Sequence, residues 1–161
     1  MRKELIRLLE QGKKVFLIGI GGVGMSGLAR ILAARGLEVS GSDAKRTKNV
    51  AKLESEGIRV TVGHGESFEE RPDCVIFSSA ISKANSDYKQ AEVLGIPLYH
   101  RAEVLSFLTN QVISLAITGA HGKTTSSAFA SFLMTQAGFK PTCLVGGEIL
   151  NYGSNALCRG I

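Results

Sequence analysis

Two rhythms of apolar positions run along this chain. Leu5, Leu8 and Leu9 recur at helical spacing ahead of Gly12, which predicts a helix over residues 4–11 closed by a C′ glycine. Val15-Phe16-Leu17-Ile18 is then an unbroken apolar run, the mark of a strand buried on both faces of a parallel sheet. Leu28, Ile31 and Leu32 restore the helical spacing up to Gly36, and residues 37–43 read as a second strand finishing on the carboxylate of Asp43. A helix through Val50, Leu53 and Glu54 closes at Gly57, and a third strand spans 58–62. Cys74-Val75-Ile76-Phe77 is a fourth buried strand that ends at Ser78-Ser79-Ala80. A helix near 88–94 and a short strand at 96–99 follow.

Strand and helix alternate throughout, which predicts an α/β fold, a Rossmann-like doubly wound parallel sheet. Residues 101–110 read as a connecting helix, and the pattern then starts afresh with a strand at 112–117, a loop, and a helix at 124–137 ending at Gly138. Pro141 opens another apolar run, Cys143-Leu144-Val145. This is the opening βαβ of a second α/β unit, which gives expected domains of 1–107 and 108–161. About 50 residues supply too few strands to complete such a unit, so the chain is expected to be a fragment. The open edges of an unfinished sheet favour self-association, so a homo-oligomer is one expected form.

Composition removes several classes. The 44% hydrophobic and 6% aromatic content, with no Trp, describes an aliphatic core and neither a disordered chain nor a disulfide scaffold. The net charge of +5 has one dense cluster, Lys45, Arg46 and Lys48, without interleaved aromatic residues, so no nucleic-acid partner is expected. The cluster reads either as a solvated helix start or as a surface that attracts an anionic small molecule. Cys74, Cys143 and Cys158 form no CxxC, which argues against zinc and a disulfide framework. The N-terminus shows no signal-peptide pattern and no apolar stretch approaches about 18 residues, so a cytoplasmic protein with no membrane partner is expected.

The candidate chemistry sits in two glycine loops. Gly19-Ile20-Gly21-Gly22-Val23-Gly24 satisfies G-x-G-x-x-G after a strand and before a helix. Such a loop turns tightly, lets the backbone approach a diphosphate, and aims helical N–H groups at it. Asp43, at the end of the next strand, suits a ribose or base, so an NAD-type dinucleotide module is one reading. A tight turn without a ligand is another. The continuation Met25-Ser26-Gly27 adds a hydroxyl and a further glycine, which suits a diphosphate without specifying the nucleotide. Ser78 and Ser79 end a strand at the carboxyl edge of the sheet, either against the same ligand or as edge caps.

The second loop, Gly119-Ala120-His121-Gly122-Lys123-Thr124-Thr125, resembles a shortened Walker A loop. Position 117, where the full G-x-x-x-x-G-K-[ST] has glycine, is Ile117. Backbone amides would cradle phosphates, Lys123 would reach the β/γ oxygens, and Thr124 Oγ would ligate Mg²⁺. His121 fits no metal-ligand spacing, and a helix-facing or ligand-stacking role is open to it. His64 and His100 are lone histidines of the kind that is more often structural.

Taken in order, Gly19–Gly27, Val39-Ser40-Gly41-Ser42-Asp43, Ser78-Ser79-Ala80-Ile81, Arg101-Ala102-Glu103, the second loop, Val145-Gly146-Gly147 and Asn155-Ala156 resemble the Mur ligase family. The resemblance covers essentially the whole chain. It implies an ATP-dependent ligase of peptidoglycan synthesis that activates the carboxylate of UDP-N-acetylmuramate as an acyl phosphate, which the amine of L-alanine attacks. It puts Gly21, Gly22, Val23, Gly24, Met25 and Ser26 at the UDP diphosphate and Asp43 at the uridine, with Ser78, Ser79 and His64 lining the site. It puts ATP on residues 119–125, with Lys123 as the catalytic cation and Thr124 on Mg²⁺. Two departures qualify it. Ala120 stands where the family commonly has Thr, which implies at most weaker ATP affinity, since backbone amides do most of the cradling. The family's Mg²⁺-binding glutamate and its amino-acid-binding domain fall downstream, so this chain is expected to bind the UDP-sugar without catalysing ligation.

Overall fold

Val15, Phe16, Leu17 and Ile18 are all buried, and they make up most of the central strand of a five-stranded sheet. The computed structural model describes residues 2–9, 12–63, 65 and 68–159. Its sheet is built from β1 (Lys14–Ile18), β2 (Glu38–Asp43), β3 (Arg59–Val62), β4 (Cys74–Phe77) and β5 (Leu98–His100), in the order β3-β2-β1-β4-β5. Every pairing is parallel, with Val15 opposite both Val39 and Cys74. Successive side chains of β1 point to opposite faces. Val15 and Leu17 join one core with Leu28, Leu32, Tyr99 and Val104, while Phe16 and Ile18 join another with Tyr88, Ala91 and Ile96. Helices therefore cover both faces: α1 (Arg2–Leu8), α2 (Val23–Ala34), α3 (Lys48–Ser55), α4 (Ser86–Val93) and α5 (Arg101–Thr109). The doubly wound expectation holds.

Local chemistry fixes most helix starts. Thr47 Oγ1 accepts the Val50 N–H at 3.3 Å ahead of α3, and Asn85 Oδ1 accepts those of Asp87 and Tyr88 ahead of α4. At α5 the His100 ring accepts the Ala102 N–H at 3.2 Å while Glu103 accepts the His100 N–H at 2.7 Å. His100 is thus a helix cap, and its ring also meets Phe77 edge-on. Each such cap satisfies a first-turn amide that the helix itself cannot.

After α5 the structure departs from the sequence pattern. Residues 112–117 form no strand, and Val112, Ile113 and Leu115 are exposed. A strand exists only by pairing, and no described strand pairs with this segment, so its apolar run alone does not order it. Helix α6 (Lys123–Gln136) follows as expected. The chain then forms β6 (Thr142–Ile149) and β7 (Ser154–Cys158), an antiparallel hairpin and not the parallel βαβ the pattern suggests. The hairpin lies on α2. A Cβ on Gly27 would overlap the Leu144 side chain and sit 3.1 Å from Asn155 Nδ2, so glycine here lets the hairpin approach the helix closely.

Candidate functional site

The strand order reverses between β1 and β4, and in open α/β sheets ligands bind at the carboxyl ends of strands at such a switch point. Both the first glycine loop and the Ser78-Ser79-Ala80 turn leave the sheet there. They touch: a Cβ on Gly19 would lie 3.0 Å from Ile81 Cδ1. Ser78 is half-buried and its carbonyl accepts the Ile81 N–H at 2.9 Å, whereas Ser79 is exposed.

The first loop is bolted to its surroundings. The Gly19 and Ile20 amides donate to Ser42 O at 2.8 and 3.0 Å, and the Gly21 N–H donates to Asp43 Oδ2 at 2.9 Å. Asp43 Oδ1 accepts the Lys45 N–H at 3.2 Å, and Asn49 Nδ2 donates to Gly21 O at 2.9 Å. Asp43 is therefore a clamp on the loop as well as an edge carboxylate. A Cβ on Gly21 would meet Val50 Cγ2, Asp43 Oδ2 and Thr47 Oγ1 at 2.7–2.9 Å. The second glycine of the motif is thus required by packing against β2 and α3.

What the loop leaves open is the start of α2. Gly22 is its N-cap and provides no side-chain cap, and no acidic residue occupies the first turn. The first helical amide to find a carbonyl is that of Ser26, on Gly22 O at 2.8 Å. The N–H groups of Val23, Gly24 and Met25 are left at the positive end of the helix dipole, the donor set an anionic ligand needs. Ser26 lies in the first turn of α2. Its hydroxyl is buried, donates to Val23 O at 3.1 Å and accepts from Asn155 Nδ2 at 3.2 Å, so it braces the first turn from behind. His64 lies outside the described residues.

Asn155 and its neighbours are the contribution sequence reading missed. Asn155 is buried, its Nδ2 also donates to Val23 O, and its Oδ1 accepts from Arg30 at 2.7 Å. Arg30 in turn pairs with Glu56 at 2.7 Å. Lys52 donates to Gly153 O and pairs with Glu148 at 3.0 Å, which holds the Glu148 carboxyl below the usual carboxylate range. A cleft of about 60 Å³ opens here between Val23, Lys48, Asn49 and the hairpin. Lys48 is the only member of the basic cluster on it. Asn155 lies far from α2 in sequence, so only the fold could reveal the tie.

The second loop is exposed along its length. Gly119 and Gly122 have φ of 147° and 75°, conformations that favour glycine. Gly122 caps α6 with no side-chain bond, and Ser126 N–H is the first to be satisfied, on Gly122 O at 2.9 Å. The amides of Lys123, Thr124 and Thr125 are open. Lys123 Nζ bends over the loop and donates to Gly119 O at 2.7 Å and Ala120 O at 3.0 Å. Uncapped amides with a lysine at their mouth fit a polyphosphate. The Thr124 hydroxyl makes no hydrogen bond to another described residue, and no cluster of His, Cys, Asp or Glu suited to a metal occurs among the described residues. An ion at Thr124 would therefore take most of its oxygen ligands from phosphate and water, as Mg²⁺ commonly does. The hairpin reaches this loop too: Cβ atoms on Gly146 and Gly147 would lie 3.2 and 3.1 Å from Thr124. Cys74, by contrast, is inert, its thiol pushed up to about 12 by burial.

Comparison with known proteins bears on the family and the fold. UDP-N-acetylmuramate–L-alanine ligase of Carboxydothermus hydrogenoformans is 46% identical over 143 residues, 88% of this chain and 31% of that protein. The enzyme of the same description from Anaeromyxobacter sp. is 44% identical over 91% of this chain and 32% of its own length. The crystal structure of UDP-N-acetylmuramate-alanine ligase from Thermotoga maritima superimposes with a TM-score of 0.87 at 28% identity, over 91% of this chain and 35% of that one. UDP-N-acetylmuramate:L-alanyl-gamma-D-glutamyl-meso-diaminopimelate ligase from Neisseria meningitides gives 0.83 at 32% identity, over 90% of this chain and 46% of that one. The chain thus spans about a third of the length of the curated relatives it matches. The profile of the Mur ligase family, catalytic domain, matches residues 14–112, a span that takes in the first glycine loop, Asp43 and the β4 turn. On that match, over more than half of its length, this chain belongs to the Mur ligase family.

Proposed function

We propose that this chain carries the UDP-sugar site and the ATP loop of a cytoplasmic ligase that joins L-alanine to UDP-N-acetylmuramate in peptidoglycan synthesis. The observation that carries the reading is the uncapped first turn of α2, with the amides of Val23, Gly24 and Met25 open at the switch point of the sheet. In this reading residues 1–107 form the UDP-sugar unit and 108–161 belong to the ATP unit. Gly21 and Gly22 shape the turn that presents those amides to the diphosphate, and Ser26 keeps the turn rigid. Asp43 lies beside the uridine, and Ser78, Ser79 and His64 complete the site.

The second loop serves the activation step. When bound, Mg²⁺-ATP supplies the phosphoryl group that turns a carboxylate into a leaving-group-bearing acyl donor. Lys123 exchanges its two loop carbonyls for phosphate oxygens and offsets the charge that builds on them, the main electrostatic demand of phosphoryl transfer. Residues 119–125 orient the polyphosphate through backbone amides, which is why Ala120 can stand in the loop without a side-chain contact. Thr124 Oγ1 would be the ligand to Mg²⁺ that this loop contributes. Among the described residues no helix is long and apolar enough to cross a membrane.

Calorimetric titration with UDP-N-acetylmuramate and, separately, with NADH tests the assignment. Saturable binding of the UDP-sugar in preference to NADH is expected; the reverse preference overturns it.

A further inference from the structure

The third glycine of the first loop has a neighbour that the loop's own logic does not explain. A Cβ on Gly24 would lie 3.0 Å from Cζ of Arg101 and would overlap the guanidinium itself. Arg101 opens α5 directly after β5, at the same carboxyl edge of the sheet, and its side chain crosses to the first turn of α2. Glycine at position 24 thus makes room for a cation.

That cation is held against electrostatic preference. It belongs to the first residue of one helix and rests on the first turn of another, so both nearby dipoles present their positive ends. No ion pair of the described residues includes Arg101, and its Nε is buried without a hydrogen-bond partner. The acids within the neighbouring elements are engaged elsewhere. Glu103 accepts the His100 N–H, and Asp43 accepts the N–H groups of Gly21 and Lys45. A buried donor left unsatisfied is costly, and such local conflicts concentrate at functional sites. An anion on the amides of Val23, Gly24 and Met25 would offset the positive charge gathered there and accept from the terminal guanidinium nitrogen that lies against Gly24.

We propose that Arg101 is a further anion-contacting residue of the first glycine-loop site, its guanidinium donating charge-assisted hydrogen bonds to the diphosphate held by the first turn of α2. The proposal rests on the reading of that loop as a diphosphate site but not on the nucleoside attached. Arg101 supplies the positive side chain that the G-x-G-x-x-G loop itself lacks, as Lys123 does for the second loop.

The test titrates the 161-residue chain and its Arg101→Met variant with UDP, inorganic pyrophosphate and uridine. Loss of such charge-assisted bonds is expected to weaken UDP and pyrophosphate about 10- to 100-fold while leaving uridine unchanged. The salt dependence of UDP binding falls in the variant, and the ligand-free melting temperature is equal to or above that of the parent. Unchanged UDP and pyrophosphate affinity overturns the proposal. So does an equal loss for uridine together with a lowered melting temperature, because that pattern marks a structural role. Should Arg101→Met fail to fold, Arg101→Gln is put through the same comparison with the same expectations. If the parent chain prefers NADH to UDP-N-acetylmuramate, the functional reading fails, and pyrophosphate still decides the role of Arg101.

Discussion

The two glycine loops share a local sequence logic and differ in almost everything around it. The first follows β1, whose residues from Val15 to Ile18 are buried, and its glycines at 19, 21 and 24 are each pressed against a side chain from another element. The second follows an exposed segment, and Cβ atoms on Gly119 and Gly122 would meet nothing closer than 3.6 Å. Glycine is needed at 21 and 24 because there is no room, at 19 because room is tight and φ is 73°, and in the second loop because of positive φ alone. One loop is therefore shaped by the fold that surrounds it, and the other by its own backbone. A preorganised loop offers its amides with little further ordering cost, whereas a loop standing in solvent is ordered in part by its ligand.

The sharpest way to break this contrast is to truncate the segments that lead into the loops. Leu17→Ala is expected to cost about 2–5 kcal/mol in urea unfolding, as a fully buried leucine does, while Ile113→Ala stays within about 0.5 kcal/mol. Equal losses would mean that 112–117 packs as a strand after all. The glycines give the next test. Gly21→Ala should cost about 1–3 kcal/mol by overpacking against Val50, Asp43 and Thr47. Gly122→Asn should cost less than about 1 kcal/mol, because Asn adopts the left-handed region at a small penalty. Comparable melting shifts for the two would remove the distinction between room and φ.

Function should separate along the same line. Lys123→Met is expected to weaken ATP binding about 10- to 100-fold by calorimetry, leaving the melting temperature and UDP affinity unchanged, since its present partners are exposed loop carbonyls. A fall in UDP affinity would show that the loops are not independent. The smallest effect is in acid. Asp73 accepts the Lys14 N–H at 2.8 Å at the foot of the sheet, and with Lys13 nearby its carboxyl titrates below the usual range. A lowered folded-state value stabilises above the ordinary carboxylate range near 4 and is lost as pH falls through the folded value. Asp73→Asn should therefore lower stability at neutral pH and flatten the acid limb of the melting curve; an unchanged acid limb would contradict it.

The sheet was legible in the sequence because parallel strands buried on both faces show as apolar runs, and because Gly12, Gly36, Gly57 and Gly95 punctuate the helices with positive φ. The carboxyl-edge position of Ser78 and Ser79 was legible as well, whereas the switch point between β1 and β4 came from the strand order. The failures have one physical origin. The run at 112–117 has the composition of a strand, but pairing is a property of neighbours that a local pattern does not contain. The hairpin of β6 and β7 was likewise invisible as a hairpin, although Leu150, Asn151, Tyr152 and Gly153 form the turn between its strands. The tie of Asn155 to the Ser26 hydroxyl was invisible too, because the two are distant in sequence. Arg101 stood in a recognisable string of residues, yet its reach to Gly24 depends on β5 lying beside β4.

Hydrogen exchange of peptides covering residues 19–27 and 119–126, with and without UDP-N-acetylmuramate, tests the central claim most directly. The account predicts that 19–27 is the better protected of the two in the ligand-free protein and gains further protection with the UDP-sugar, while 119–126 is unchanged. Protection by the UDP-sugar at 119–126, or at neither loop, would contradict it.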